Sequence, residues 1–173
     1  MSIWSCVRST ACAFLVACSM SVPALAESTA PVKIAVFDFE LDDFSAVGSL
    51  TGGFQNEQDS LKLASAETRQ LLAQSGRYTL VETETADAEA LKSHRLRFCK
   101  GCEAAIAKDL GAEQSMLCLI KRISKLDYTV IFQIRDAQTG SIISTLQSEL
   151  RLGADYSWSR GAAWLVKNRV LEN

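Results

Sequence analysis

Two periods share this chain, an alternation of apolar and polar positions in some stretches and a helical stripe in others. Val32-Lys-Ile-Ala-Val-Phe-Asp-Phe-Glu-Leu41 is dense in β-branched and aromatic residues and apolar on both sides in its first half. That pattern predicts a strand buried between two layers. Asp42–Asp59, with Gly48, Gly52 and Gly53, shows no period and reads as a long loop, either mobile or a binding element. From Ser60 the stripe is helical: Leu61, Ala64, Thr68, Leu71, Leu72 and Ser75 share a face, Lys62, Arg69 and Gln70 point away, and Gly76 stands at the left-handed cap. Tyr78–Glu82 follows as a short strand, and Thr83–Leu96 is polar with a helical turn near Asp87–Lys92. Glu103–Leu110 reads as a second helix closed by Gly111.

Ser115–Ser124, Asp127–Asp136 and Ser141–Leu152 then predict three strands in succession, the last two joined by the tight turn Asp136-Ala-Gln-Thr-Gly140. Asp155 caps a final helix running to about Leu171, which buries Trp158, Ala162 and Leu165. Trp158 and Trp164 lie six residues apart and cannot share one helix face, so one indole is left for a partner. The order β-α-β-α-β-β-β-α predicts an α/β (α+β) fold: a mixed sheet of about five strands, helices packed on it, and an antiparallel meander at its C-terminal end.

Composition narrows the function classes. The 173 residues are 48% apolar and 22% charged, a globular balance that excludes disordered, collagen-like and coiled-coil chains. A formal charge of −2 gives no electrostatic footprint for nucleic acid. One His and two Pro leave little catalytic vocabulary. Residues 1–26 read as a secretory signal: Arg8, the apolar Ser9–Met20, and Ser21-Val-Pro-Ala-Leu-Ala26 with small residues at the cleavage site. The remaining 27–173 read as a single periplasmic domain, with no cofactor, bound metal or transmembrane segment predicted. Leu15-Val-Ala-Cys18 offers the alternative of a lipid anchor at Cys18 and an outer-membrane lipoprotein. Loss of the signal removes Arg8 and no acid, and leaves Cys99, Cys102 and Cys118.

Cys99-Lys-Gly-Cys102 is the sharpest local motif. In an exported chain it reads first as a short-range disulfide. A thioredoxin-like redox pair ahead of a helix is the competing reading, although Pro31 is the only proline after the signal. Haem attachment would need His where Glu103 stands, and zinc would have to recruit His94 and Cys118, the latter placed mid-strand as a buried thiol. Asp38, Glu40 and Asp42 are expected on one face at the end of the first strand, beside Asp43. They form either a hard-cation site or a solvated strand end paired with Lys121, Arg122 or Lys125. No Gly-x-Ser-x-Gly elbow and no phosphate-binding glycine loop occurs, and His94 reads as an exposed histidine.

Val36-Phe-Asp-Phe-Glu-Leu41, Cys99-Lys-Gly-Cys-Glu103, Leu110-Gly-Ala112, Arg135-Asp-Ala-Gln-Thr-Gly140 and Ser157-Trp-Ser-Arg-Gly161 through Trp164-Leu-Val166 occur in that order. In these segments the chain resembles an uncharacterised family of secreted bacterial proteins, a domain of unknown function. The opening strand, the Leu-Gly-Ala and the Asp-x-x-Thr-Gly hairpin are more distantly similar to other periplasmic α/β domains. These are the amino-terminal domain of TolB, the curli-secretion lipoprotein and the lipoprotein activators of penicillin-binding proteins. That resemblance implies a domain that binds other envelope proteins and performs no chemistry; a thiol-disulfide or metal-handling protein using Cys99 and Cys102 is the alternative. The expected contact residues are Asp38, Glu40, Asp42, Asp43, Phe44, Phe54 and Trp164.

Overall fold

The computed structural model describes residues 30–44, 54–86, 91, 95–151 and 157–172, with the side chains of Phe54 and Gln55 excepted. The expected signal at 1–26 and the cap at Asp155 lie outside these residues, as does most of the turn near Asp87–Lys92. β1 (Val32–Val36) and β2 (Glu40–Asp43) occupy one lane of a six-stranded mixed sheet. α1 (Phe54–Gln74) leads to β3 (Tyr78–Val81), and a 3-10 turn (Leu96–Phe98) leads to α2 (Cys102–Asp109). β4 (Gln114–Arg122), β5 (Asp127–Asp136) and β6 (Ile142–Arg151) form the antiparallel meander, and α3 (Trp158–Leu165) runs into a π turn at Val166–Val170.

β1 pairs in parallel with β3 on one side and β4 on the other, so the crossover through α1 and the return through α2 leave in opposite directions. Right-handed crossovers of that kind cover both faces of a sheet. One face packs against α1 and α3 around Ile34, Met116, Val130, Phe132 and Leu165. The other packs the 3-10 turn and α2 around Ala35, Phe37, Leu96, Ala107 and Leu117. β4 lies between the two layers, which is why Ser115, Met116, Leu117 and Cys118 are all buried. β5 shows the expected alternation, with Tyr128, Val130, Phe132 and Ile134 buried and the residues between them half-buried.

The sheet is interrupted between β1 and β2. Val36 pairs with Met116 and Glu40 with Leu119, so the first lane holds one residue more than β4 over the same stretch. The extra residue inverts the alternation. Ile34 and Val36 reach the α1 side, and beyond the break Phe39 and Leu41 do so. Backbone groups loosened here are satisfied from α1: the Phe39 amide donates to Ser65 Oγ at 2.9 Å, and Arg69 donates to the Val36 carbonyl at 2.9 and 3.2 Å.

Three expectations change. Asp38, Glu40 and Asp42 do not share a face, because the inserted residue separates Asp38 from the other two. Arg69 does not point away but reaches back to the break. The stretch Asp42–Asp59 is not one loop. Asp42 and Asp43 belong to β2, and α1 begins at Phe54, six residues before the apolar stripe. Its first turns were illegible because Asn56, Gln58, Asp59 and Ser60 are exposed; the ion pair of Glu57 with Arg122 ties them to the sheet. The helix cap near the C-terminus is Ser157, whose hydroxyl accepts from the Arg160 amide at 3.3 Å.

Candidate functional site

The carboxyl end of the β1–β2 lane is where the two crossovers diverge, the usual place for a crevice in an open α/β sheet. A cleft of about 430 Å3 lies there, lined by Asp38, Phe39, Glu40, Leu41, Gln58, Leu61, Lys62, Ser65 and Arg97. Phe39, Leu41 and Leu61 give it an apolar floor, and α1 and the 3-10 turn form its walls.

The acidic residues expected at this strand end are each held by a cation. Asp38 pairs with Arg69 at 2.9 Å. Glu40, only 3% exposed, accepts from the Leu96 amide at 2.6 Å, the Arg97 amide at 3.2 Å and the Arg97 guanidinium at 2.8 Å. Asp42 lies 3.7 Å from Arg97, and Asp43 pairs with Arg122 at 2.8 Å, one of the strand-end pairings expected from the sequence. Arg97 also stacks over Phe98, 4.3 Å from the ring centroid. Of these carboxylates Asp38 and Glu40 line the cleft, each held by its own arginine, and the four do not converge on a common point.

Phe44, directly after β2, is 63% exposed, with Lys121 Nζ 4.4 Å above its ring. Ile123 and Leu126, in the turn joining β4 to β5, are 51% and 49% exposed. The Phe44 amide donates to the Arg122 carbonyl at 3.1 Å, which places all three apolar side chains at the same end of the sheet as the cleft. Phe54 starts α1 beside this end. Trp164 is 44% exposed on α3 and Trp158 is buried against Tyr128, with ring centroids 5.4 Å apart. Trp164 belongs to α3, which packs on the same face as α1, but it is not among the residues that line the cleft.

Cys99 and Cys102 are joined by a disulfide that ties the 3-10 turn to the start of α2. Lys100 and Gly101 both take positive φ, 53° and 117°. Glu103 follows, fully buried, with Oε1 accepting from Arg135 Nε at 2.8 Å and Oε2 3.9 Å from Cys99 Sγ. Arg135 is itself fixed by the Gly140 carbonyl and Gln133. Among the described residues, Cys99, Cys102 and Glu103 are the one group with ligand atoms close enough to hold a metal; in the structure the two sulfurs are spent on each other and Glu103 on Arg135. Cys118 is a buried free thiol whose pKa is pushed far up by burial.

Sequence reasoning missed Ser65, Lys62 and Arg97 as parts of the site. Ser65 and Arg69 stand four apart on α1, one helical turn, and that spacing beside Asp38 was the available signal. Nothing in the sequence marks Glu103 as buried.

Residues 32–170 match the model of the family DUF3280, described as "Protein of unknown function (DUF2380)". Among curated proteins no sequence matches the chain. Among solved structures, Escherichia coli LpoB is similar at a TM-score of 0.50, with 17% identity over 71% of this chain and 58% of that one. Lipoprotein GNA1162 from Neisseria meningitidis gives 0.49, 17% identity, and 82% and 96% coverage. TolB from Acinetobacter baumannii gives 0.44, 17% identity, and 76% and 25% coverage. At these identities the likeness to LpoB is one of fold. With the family model spanning nearly all of the described fold, the chain belongs to the DUF3280 family of proteins of unknown function.

Proposed function

We propose that this protein is a non-catalytic accessory domain of the bacterial periplasm that recognises another cell-envelope protein. The observation that carries the reading is the exposed apolar end of the sheet, where Phe44, Ile123 and Leu126 stand at the same end as the cleft. Contiguous exposed apolar groups are a mark of interaction sites. Support also comes from the commitment of the buried carboxylates to structure, Glu40 to Arg97 and Glu103 to Arg135, which leaves neither as a free general acid or base. The secretory signal read in the sequence and the resemblance to envelope-binding domains agree with it. Crosslinking of the tagged protein in its own host, read by mass spectrometry, tests it. One reproducible envelope partner, lost in a Phe44→Asp, Leu126→Asp variant, is the expected result; capture that is unchanged in the variant refutes the role of this end.

A second reading, thiol-disulfide exchange through Cys99 and Cys102, is favoured by the position of the pair at the start of a helix, with the Cys102 amide 3.2 Å from Cys99 Sγ. The reduction potential separates the two. A structural bond lies below about −300 mV, and a catalytic one is more oxidising.

A further inference from the structure

β3 pairs with β1 only as far as Ala35, opposite Val81. β2 lies beyond that end, and among the described residues its one strand neighbour is β4. Among the described residues no strand lies on the far side of β2, and the cleft lies along that side. Strand alternation fixes which backbone groups face that side. The Phe44 amide points to β4, where it meets the Arg122 carbonyl, so the amide and carbonyl of Leu41 point the other way. The Phe39 amide, on the same side as Leu41, is already taken by Ser65 Oγ. A strand edge, an apolar floor and a helix wall thus run side by side. A second strand laid against such an edge gains main-chain hydrogen bonds and places alternate side chains in the groove.

Charge selects among possible strands. Asp38 is neutralised by Arg69 and Glu40 by Arg97. Lys62, on the α1 wall, is exposed and has no ion pair among the described residues. Of the charged residues that line the cleft, Lys62 is the one whose charge no ion pair among the described residues offsets.

We propose that the groove between β2 and α1 binds an extended segment of a partner protein as an added strand, with a large apolar side chain on Phe39, Leu41 and Leu61 and an adjacent acidic side chain on Lys62. This rests on the protein-binding reading above and names the kind of segment recognised.

The test uses a display library of linear nonapeptides selected against the full-length expressed chain, with laurate as a control amphiphile. Selected peptides are expected to pair an acidic with a neighbouring large apolar residue. Binding should raise the exchange protection of the Leu41 amide. It should weaken at least tenfold in Lys62→Glu, a change at an exposed position that leaves the fold intact. Replacing the acid of the peptide by lysine should restore binding to that variant. Four results overturn the proposal: no enriched peptide, peptides indifferent to Lys62→Glu, an unprotected Leu41 amide, or laurate binding in place of any peptide. None of these would touch an envelope partner captured by crosslinking, so failure of the groove and failure of the protein-binding reading are separately visible.

Discussion

Glu40 shows how a charged residue at a strand end can become a structural one. Its two oxygens take the first amides of the 3-10 turn and the Arg97 guanidinium, holding a segment from far along the chain against β2. Removing one partner of a buried pair costs about 3–5 kcal/mol, because the other charge is left without compensation. Arg97 is partly exposed, so Glu40→Ala is expected at the lower end, about 3 kcal/mol by urea unfolding, with faster amide exchange at Leu96 and Arg97. Asp136 works at the surface. Its carboxyl is held below the ordinary carboxylate value by hydrogen bonds from the Thr139 amide, the Thr139 hydroxyl and the Gln138 amide. A folded pKa below the unfolded one gives stability that is complete above the unfolded value of about 3.8 and is lost as pH falls through the folded one. Asp136→Asn should flatten this acid limb of the stability-against-pH curve, measured by thermal unfolding between pH 2 and 6.

Among elements, α1 has two tasks, and only one was visible in the sequence. Its apolar stripe from Leu61 to Leu72 predicted a packed helix, and that stripe does bury Ala64, Thr68 and Leu72. The polar residues at Ser65 and Arg69 carry the second task, completing the hydrogen bonds of the interrupted lane. Hydrophobic periodicity cannot show this, since it records what is buried and not what a buried polar atom meets. The alternation in β5, the hairpin turn at Asp136–Gly140 and the C-terminal helix were legible because each repeats a local rule over several residues. The break at Asp38 was not: one inserted residue leaves no trace in composition. Ser65→Ala leaves the Phe39 amide buried without a partner and is expected to cost about 1–3 kcal/mol, measurable as a drop in urea midpoint at unchanged slope.

For the whole molecule, three layers around one central strand place the disulfide and the free thiol in different environments. Cys118 sits in the fully buried β4, where burial keeps the thiol protonated. Cys99 and Cys102 sit half-exposed in the outer layer. With the signal removed, the native chain should give no reactive thiol to an aromatic disulfide reagent and the denatured chain one. Reduction of the short Cys99–Cys102 loop should cost about 2 kcal/mol in the chain-entropy account. The meander and the core on the α1 and α3 side should survive it, and the loss should fall on the α2 side, where Cys99 and Cys102 pack against the second core. How the candidate groove forms was not readable from sequence, because it depends on β3 ending before β2 begins. That is a fact of pairing between distant segments.

The inserted residue at the β1–β2 break has one more consequence. It acts as a frameshift within a single strand: positions before it are read in one phase and positions after it in the other. Deleting Asp38 would remove the extra residue and join the two phases into one plain alternation, with Val36, Phe39 and Leu41 on the α1 side and Phe37 and Glu40 on the α2 side, so both layers keep their contacts. Loss of one residue at the break is therefore tolerated, whereas loss of one from the regular part of β2 would exchange the faces of the residues after it.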